Sequence, residues 1–144
     1  MIPFYDRNAK ISGVLIDDVN HFLVGSGYPK TANHCSEVGI KAKELATKYD
    51  SDPVKAEQAG YLHDLSVVIP DVKIIGFAKN RSIEILDEEY RFPMIIHQKL
   101  SVILAREIFH ITDDEVLSAV GCHTTLKANA KLLDKVVFPA NKIA

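Results

Sequence analysis

A histidine and an aspartate stand side by side inside an apolar stretch, in the sequence AGYLHDLSVV of residues 59–68. Burying a charge or an unpaired polar group costs several kcal/mol or more, so His63 and Asp64 need partners. A local salt bridge is one solution. A metal ion is another, and it requires further ligands from elsewhere in the chain.

The chain has six histidines, and four of them fall on apolar faces of different predicted helices. The four are His34, His63, His97 and His123. Helices that each turn one imidazole toward a common core can build an internal metal site. A lone buried histidine is more often a hydrogen-bonded core residue, so this alternative stays open. His21 and His110 lack the apolar context and are predicted to lie on the surface.

The residue types suit a two-metal centre. Neutral imidazole binds borderline ions such as Zn, Fe, Ni and Mn, and a carboxylate can bridge two of them. His63 and Asp64 lie about 100° apart on a helix, yet both can reach one ion near its face. Two ions about 3.5–4 Å apart can clamp a phosphoryl group, with a bridging hydroxide as nucleophile.

Helical periodicity dominates the elements that must position these residues, and no segment alternates with period two. The sequence therefore predicts an all-α fold, a helical bundle. Asp52 and Pro53 mark a helix start, and TDDE at 112–115 predicts a capping box with Thr112 as N-cap and Glu115 at N3. The helices are expected over 12–24, 31–49, from 53 through the doublet to before Pro70, 72–79, 94–109, from 112 through His123, and a C-terminal segment. The apolar face of that last helix is predicted to comprise Leu132, Leu133, Val136, Val137, Ala140 and Ile143.

The bulk composition predicts one soluble globular domain over residues 1–144, with 47% apolar and 25% charged residues. The net charge of -2 gives no field that would attract nucleic acid or an anionic membrane. The N-terminus lacks a signal-peptide pattern, and no apolar run approaches the ~18 residues of a membrane span. Cys35 and Cys122 are then expected to be reduced thiols in a cytoplasmic protein, with a disulfide between them less favoured.

Five motifs occur in order along the chain: HC at 34–35, AGYLHD at 59–64, PMIIHQ at 93–98, GCHTT at 121–125 and VVFPANKIA at 136–144. With these five motifs in this order, the chain resembles the HD-domain phosphohydrolase superfamily over roughly residues 12–144. More narrowly, it is similar to the bacterial branch that includes the symmetrical dinucleoside tetraphosphate hydrolases.

The resemblance implies an HD-type helical bundle and a two-metal centre. Iron is the expected metal, with Zn, Mn, Ni or Mg as alternatives. One ion would be held by His34, His63 and Asp64, and Asp64 would bridge to a second ion held by His97 and His123. Asp64 and His63 are accordingly assigned the catalytic role. Asn141 stands where the family has the aspartate that completes the first ion's shell.

The sequence departs from the family pattern at several positions. Ala140-Asn141 replaces an Ala-Asp pair, Thr31 and Val67 replace basic residues, and Gln98 replaces a glycine. Losing cations weakens the case for the same polyphosphate substrate, since cations hold phosphate oxygens. The family continues past the last motif, whereas this chain stops within an apparent helix. Truncation, or a last helix that finishes against a partner, would account for that end.

The favoured function is that of a metal-dependent phosphohydrolase acting on a small-molecule nucleotide or a dinucleoside polyphosphate such as diadenosine tetraphosphate. A non-catalytic metal- or nucleotide-binding protein on a decayed HD scaffold is the alternative, and a structural helical domain is the least favoured. Neither nucleic acid nor membrane is an expected partner, and a homodimer is left open. The candidate substrate-binding residues are Thr124, Thr125, Lys99 and Lys127, although for both lysines a solvated surface position is favoured.

Overall fold

The computed structural model describes residues 11–91, 96–121 and 131–143. These residues form eight α-helices and no strand, which confirms the all-α prediction. None of the described helices is both long and apolar enough to cross a bilayer. The helices are α1 Leu15–Gly25, α2 Pro29–Lys48, α3 Pro53–Leu62, α4 Ile74–Asn80, α5 Asp87–Arg91, α6 His97–Phe109, α7 Asp114–Val120 and α8 Leu132–Ile143.

Helix α2 is the central element, because it packs along α3 and also contacts α1 and α8. Its buried face carries only small or β-branched residues together with Cys35. At the crossing with α3, the backbone of Gly60 lies directly against that of Gly39. A Cβ at Gly60 would meet the backbone of Gly39, and a Cβ at Gly39 would meet the ring of Tyr61, so the two glycines permit the close approach.

Helix α3 begins as predicted, with Asp52 accepting hydrogen bonds from the backbone N–H groups of Val54 and Lys55 at 3.0 and 3.2 Å. The prediction that it runs through the doublet is wrong, because α3 ends at Leu62 and Asp64 has non-helical dihedrals. A 3₁₀ turn, Leu65–Val68, follows.

A side-chain hydrogen bond and a contact with α2 accompany this ending. The ring of His63 hydrogen-bonds to the carbonyl of Gly60, which an uninterrupted α-helix would use for the N–H of Asp64. Asp64 instead lies beside the thiol of Cys35 on α2, and its charge raises the pKa of that thiol. The doublet therefore lies at a break between two helical segments.

The predicted capping box at the start of α7 is also wrong by one residue. Asp113, not Thr112, is the N-cap, and its carboxylate accepts from the N–H groups of Glu115 and Val116 at 2.9 and 3.3 Å. Lys55 on α3 lies 3.2 Å from Asp113 and 3.3 Å from Glu115. This cation fixes both carboxylates, a tertiary contact that a local motif does not contain.

The predicted apolar face of α8 is correct in its middle and wrong at its two ends. Leu133, Val136, Val137 and Ala140 are buried, whereas Leu132 and Ile143 are 49% and 60% exposed. The exposed pair borders a surface groove with Leu45 and Tyr49 of the α2 end and with Pro139.

Helix α5 was not anticipated, and the segment expected over 72–79 divides into a 3₁₀ turn, Asp71–Lys73, followed by α4. The prediction that His21 and His110 are surface residues is confirmed. Cys35 is a buried free thiol, and Cys122 lies outside the described residues.

Candidate metal centre

Three of the predicted ligands come together where α2, the end of α3 and α8 meet. The His34 ring packs edge-on against the His63 ring, with 5.3 Å between the ring centroids. On its other side, the Nε2 atom of His34 lies 3.1 Å from the amide oxygen of Asn141. The 107 residues that separate His34 from Asn141 are bridged by the packing of α8 on α2.

The hydrogen bond of His63 determines which of its ring nitrogens is protonated. Its Nδ1 atom lies 2.6 Å from the carbonyl oxygen of Gly60, and a carbonyl can only accept. Nδ1 therefore donates, and Nε2 of the neutral ring keeps its lone pair. Metal-binding histidines commonly have this arrangement, in which one nitrogen donates to the protein and the other binds the ion.

Asp64 presents a half-buried carboxylate at the start of the 3₁₀ turn. It does not cap that turn, and among the described residues no group donates a hydrogen bond to it. Burial raises the pKa of the Cys35 thiol, and the charge of the nearby Asp64 raises it further. Cys35 thus stays a neutral thiol and adds no charge beside Asp64.

His97 is the first residue of α6, and its ring is oriented by the turn that follows the doublet. Its Nδ1 atom lies 2.7 Å from Oγ of Ser66, whose backbone N–H donates to Oγ of Ser101 at 3.1 Å. The Nε2 atom of His97 is buried and has no hydrogen-bond partner among the described residues. Asp71 is 3.6 Å from this atom, too far for a hydrogen bond.

Lys99, predicted as a substrate cation, already has other partners. Its ammonium group donates to the buried carboxylate of Glu89 at 2.7 Å and to the carbonyl of Glu84 at 3.1 Å. A role of Lys99 in substrate binding stays a prediction. His123, Thr124, Thr125 and Lys127 lie outside the described residues, and so their assignments stay predictions as well.

The donor types present fit a borderline metal ion. His34, His63 and His97 offer imidazole nitrogens, Asp64 offers a carboxylate, and Asn141 offers an amide oxygen. Within ranges 11–91, 96–121 and 131–143, however, no group of three or more His, Cys, Asp and Glu side chains could hold an ion as placed. What fits a metal ion is therefore the set of donor types, together with the hydrogen bonds that orient the rings of His63 and His97.

Sequence reasoning missed Gly60, Ser66 and Asp71. A signal for Ser66 was present, because a serine within an apolar stretch must find a hydrogen-bond partner when buried. Gly60 and Asp71 had no comparable local signal. Their roles depend on the α2–α3 crossing and on the path of the chain after Pro70.

Comparison with known proteins connects this geometry to a family. The family model for the HD domain matches residues 31–144. An uncharacterised protein of Lactococcus lactis subsp. cremoris is 47% identical over 74% of this chain and 53% of its own length. The symmetrical bis(5′-nucleosyl)-tetraphosphatase of Staphylococcus aureus (strain NCTC 8325 / PS 47) is 30% identical over 79% of this chain and 58% of its own length.

A crystal structure gives the same picture at the level of the fold. It is that of a predicted HD superfamily hydrolase involved in NAD metabolism from Clostridium acetobutylicum, which superimposes with a TM-score of 0.82. The identity is 34%, and the match covers 88% of this chain and 67% of that one. This chain spans little more than half the length of the two curated relatives described above. With a family model that matches most of its residues, the chain belongs to the HD domain family.

Proposed function

We propose that the protein is a metal-dependent phosphohydrolase that acts on a nucleotide or a dinucleoside polyphosphate. The observation that carries the proposal is the break after α3, where Nδ1 of His63 lies 2.6 Å from the carbonyl of Gly60. Asp64 presents a half-buried carboxylate next to it, and the His34 ring packs against the His63 ring. The relatives support the substrate class, since one is named a symmetrical bis(5′-nucleosyl)-tetraphosphatase and another is described as involved in NAD metabolism.

In the proposed centre, one ion would be held by His34, His63, Asp64 and Asn141. Asp64 would be shared with a second ion at His97 and His123. Iron is the proposed metal, and Zn, Mn, Ni or Mg are alternatives. When bound, such ions polarise phosphoryl oxygens and lower the pKa of water at the site.

The chain's own residues prepare the centre. The carbonyl of Gly60 keeps the His63 proton on Nδ1, and Oγ of Ser66 fixes the ring of His97. Partners of this kind orient ligands, and removing one typically costs about 10- to 100-fold in metal affinity or activity. Cys35 contributes a neutral, buried surface beside Asp64, so that the carboxylate charge remains available to cations.

A second candidate function is non-catalytic binding of metal or nucleotide. The observation that favours it is the hydrogen bond between His34 and Asn141, in which two of the proposed ligands bind each other without an ion. An amide oxygen also brings a dipole but no negative charge to a cation. Metal affinity at the first position would then be lower than in a centre with two carboxylates.

One experiment separates these functions. Metal content is measured on protein purified without chelator, and release of phosphate or nucleoside diphosphate is assayed on a panel of nucleotides, diadenosine tetraphosphate and a pyridine dinucleotide. The proposal predicts bound transition metal and hydrolysis that Asp64→Ala abolishes. Asp17→Ala is the control, because Asp17 is an exposed carboxylate on α1.

The outcomes are distinct. Activity that survives in Asp64→Ala would show that the carboxylate is structural and that the two-metal proposal is wrong. Bound metal without hydrolysis of any panel member would favour the binding protein. Protein free of first-row metals that also fails to take them up would refute both the metal-dependent hydrolase and the metal-binding protein.

A further inference from the structure

The Nε2 atom of His97 is an unsatisfied polar atom in the described part of the molecule. It is buried and lacks a hydrogen bond there, while the opposite nitrogen is occupied by Ser66 at 2.7 Å. Burying such an atom without a partner is unfavourable. The ring of His97 is thus held by Ser66 at one nitrogen, while the other nitrogen faces no hydrogen-bonding group of the described residues.

A carboxylate faces this atom at a distance that suits two ligands of one ion. The Oδ1 atom of Asp71 lies 3.6 Å from Nε2. Ligands bound at about 2.0–2.2 Å with a tetrahedral angle between them are separated by roughly 3.4 Å. A direct N–H···O hydrogen bond would instead bring the two atoms to about 2.7–3.2 Å. The observed separation leaves room for an ion to one side of the line that joins them.

The position of Asp71 also fits a ligand at the open edge of a centre. It begins the 3₁₀ turn Asp71–Lys73, directly after Pro70, and its side chain is 72% exposed. Its charge therefore needs no buried partner in the absence of an ion. The side chain of His97, by contrast, is only 12% exposed.

We propose that Asp71 is a further metal ligand and binds, together with His97, the second ion of the centre. The inference rests on the proposed metal centre and adds a residue that the family pattern does not assign. It also supplies a negative charge to a centre in which Asn141 provides none. In this chain the carboxylates would be Asp64 and Asp71.

The test uses Asp71→Asn and, as a matched control, Asp17→Asn, which removes an exposed carboxylate from the first turn of α1. Zn²⁺ and Co²⁺ are titrated into each protein in competition with a chromophoric chelator, and the visible absorption of bound Co²⁺ is recorded. Wild type should bind two ions. Asp71→Asn should bind the weaker of the two at least about 10-fold less tightly, the smaller effect typical of residues that only support a ligand.

Salt separates a ligand from a mere nearby charge. At 1 M salt the screening length is about 3 Å, so a through-space effect of Asp71 should largely disappear. Loss of affinity that persists at high salt, with a changed Co²⁺ spectrum and unchanged thermal unfolding, supports the proposal. Equal affinities of Asp71→Asn and wild type for both ions would overturn it while leaving the centre intact. Wild type that binds no ion would refute the centre itself, and with it the role of Asp71.

Discussion

The crossing of α2 and α3 predicts that a single methyl group will both destabilise the fold and disturb the metal centre. In Gly60→Ala, the new Cβ would lie 2.6 Å from Cα and 2.7 Å from N of Gly39. Carbon atoms in contact are separated by about 3.5–4.0 Å. The helices must therefore move apart by about 1 Å, because the obstructing atoms are backbone and cannot rotate away.

The size of the effect follows from two opposing contributions. Overpacking of a core typically costs about 1–3 kcal/mol. Replacing glycine by alanine inside a helix returns up to about 1 kcal/mol of helix propensity. A net loss of up to about 2 kcal/mol in the free energy of unfolding is expected once the full helix-propensity gain is subtracted, and each kcal/mol lowers Tm by about 2–4 °C in a domain of this size.

The same displacement should weaken metal binding. His34 lies five residues before Gly39 on α2, and His63 lies three residues after Gly60, so the two rings are carried by the helices that separate. Their centroids are 5.3 Å apart in the wild-type structure. Misplacing a catalytic group by about 1 Å can lower the reaction rate by as much as about 100-fold, so the rate of hydrolysis should fall together with metal affinity.

Gly76→Ala is the matched control. Gly76 lies in α4, and a Cβ added there meets no atom within 4 Å. This substitution should therefore raise stability by up to about 1 kcal/mol and leave metal affinity unchanged. Urea and thermal unfolding followed by circular dichroism, together with chelator competition, measure both effects. If Gly60→Ala were as stable as Gly76→Ala, the helices could not be in backbone contact, and the reasoning would be refuted.

Three other predictions concern single side chains. Asn141→Asp places a carboxylate near Nε2 of His34, so chelator competition should show tighter metal binding, and the nucleotide panel should show faster hydrolysis. Metal affinity and hydrolysis rates equal to those of wild type would place residue 141 outside the metal shell. Lys99→Met should lower the free energy of unfolding in urea by about 1–3 kcal/mol, because the carboxylate of Glu89 stays buried without its cation. Lost hydrolysis at unchanged stability would instead mean that Lys99 binds substrate. Burial raises the pKa of the Cys35 thiol. In a Cys122→Ser variant, Cys35 of the native protein should therefore resist alkylation by iodoacetamide at pH 8–9 until the protein unfolds. Rapid alkylation of the native protein would contradict this. Because the unfolded thiol ionises near pH 9.0 and the folded one does not, the unfolded state binds fewer protons above that pH, and stability should fall as the pH rises further.

Much of the helical framework could be predicted from the sequence, because periodicity and helix-start signals are local. Asp52 and Pro53 set the start of α3, and the apolar spacing located α1, α2 and the middle of α8. The errors have tertiary causes. Asp113 replaces Thr112 as N-cap in a contact network with Lys55, and the ends of α8 extend beyond the neighbouring helices that bury its middle.

The candidate site shows the same division. Residue types alone identified His34 and His63 as candidate ligands. The resemblance to the family identified Asn141, and the structure places Asn141 next to His34. The partner of Lys99 could not be predicted, because Glu89 belongs to a five-residue helix with no periodic signal. The facing of Asp71 and His97 likewise depends on a turn whose path is set by packing.

The break after α3 explains how one short segment serves both halves of the proposed centre. If α3 continued through the doublet, the N–H of Asp64 would also bond to the carbonyl of Gly60, and Nδ1 of His63 would share that acceptor. The helix ends at Leu62, the carbonyl of Gly60 orients the His63 ring, and Asp64 lies beside the thiol of Cys35 on α2. The 3₁₀ turn then delivers Ser66 to His97. Residues 60–66 thereby orient two imidazoles, those of His63 at the end of α3 and of His97 on α6, and the same segment contains Asp64, the carboxylate assigned to both ions.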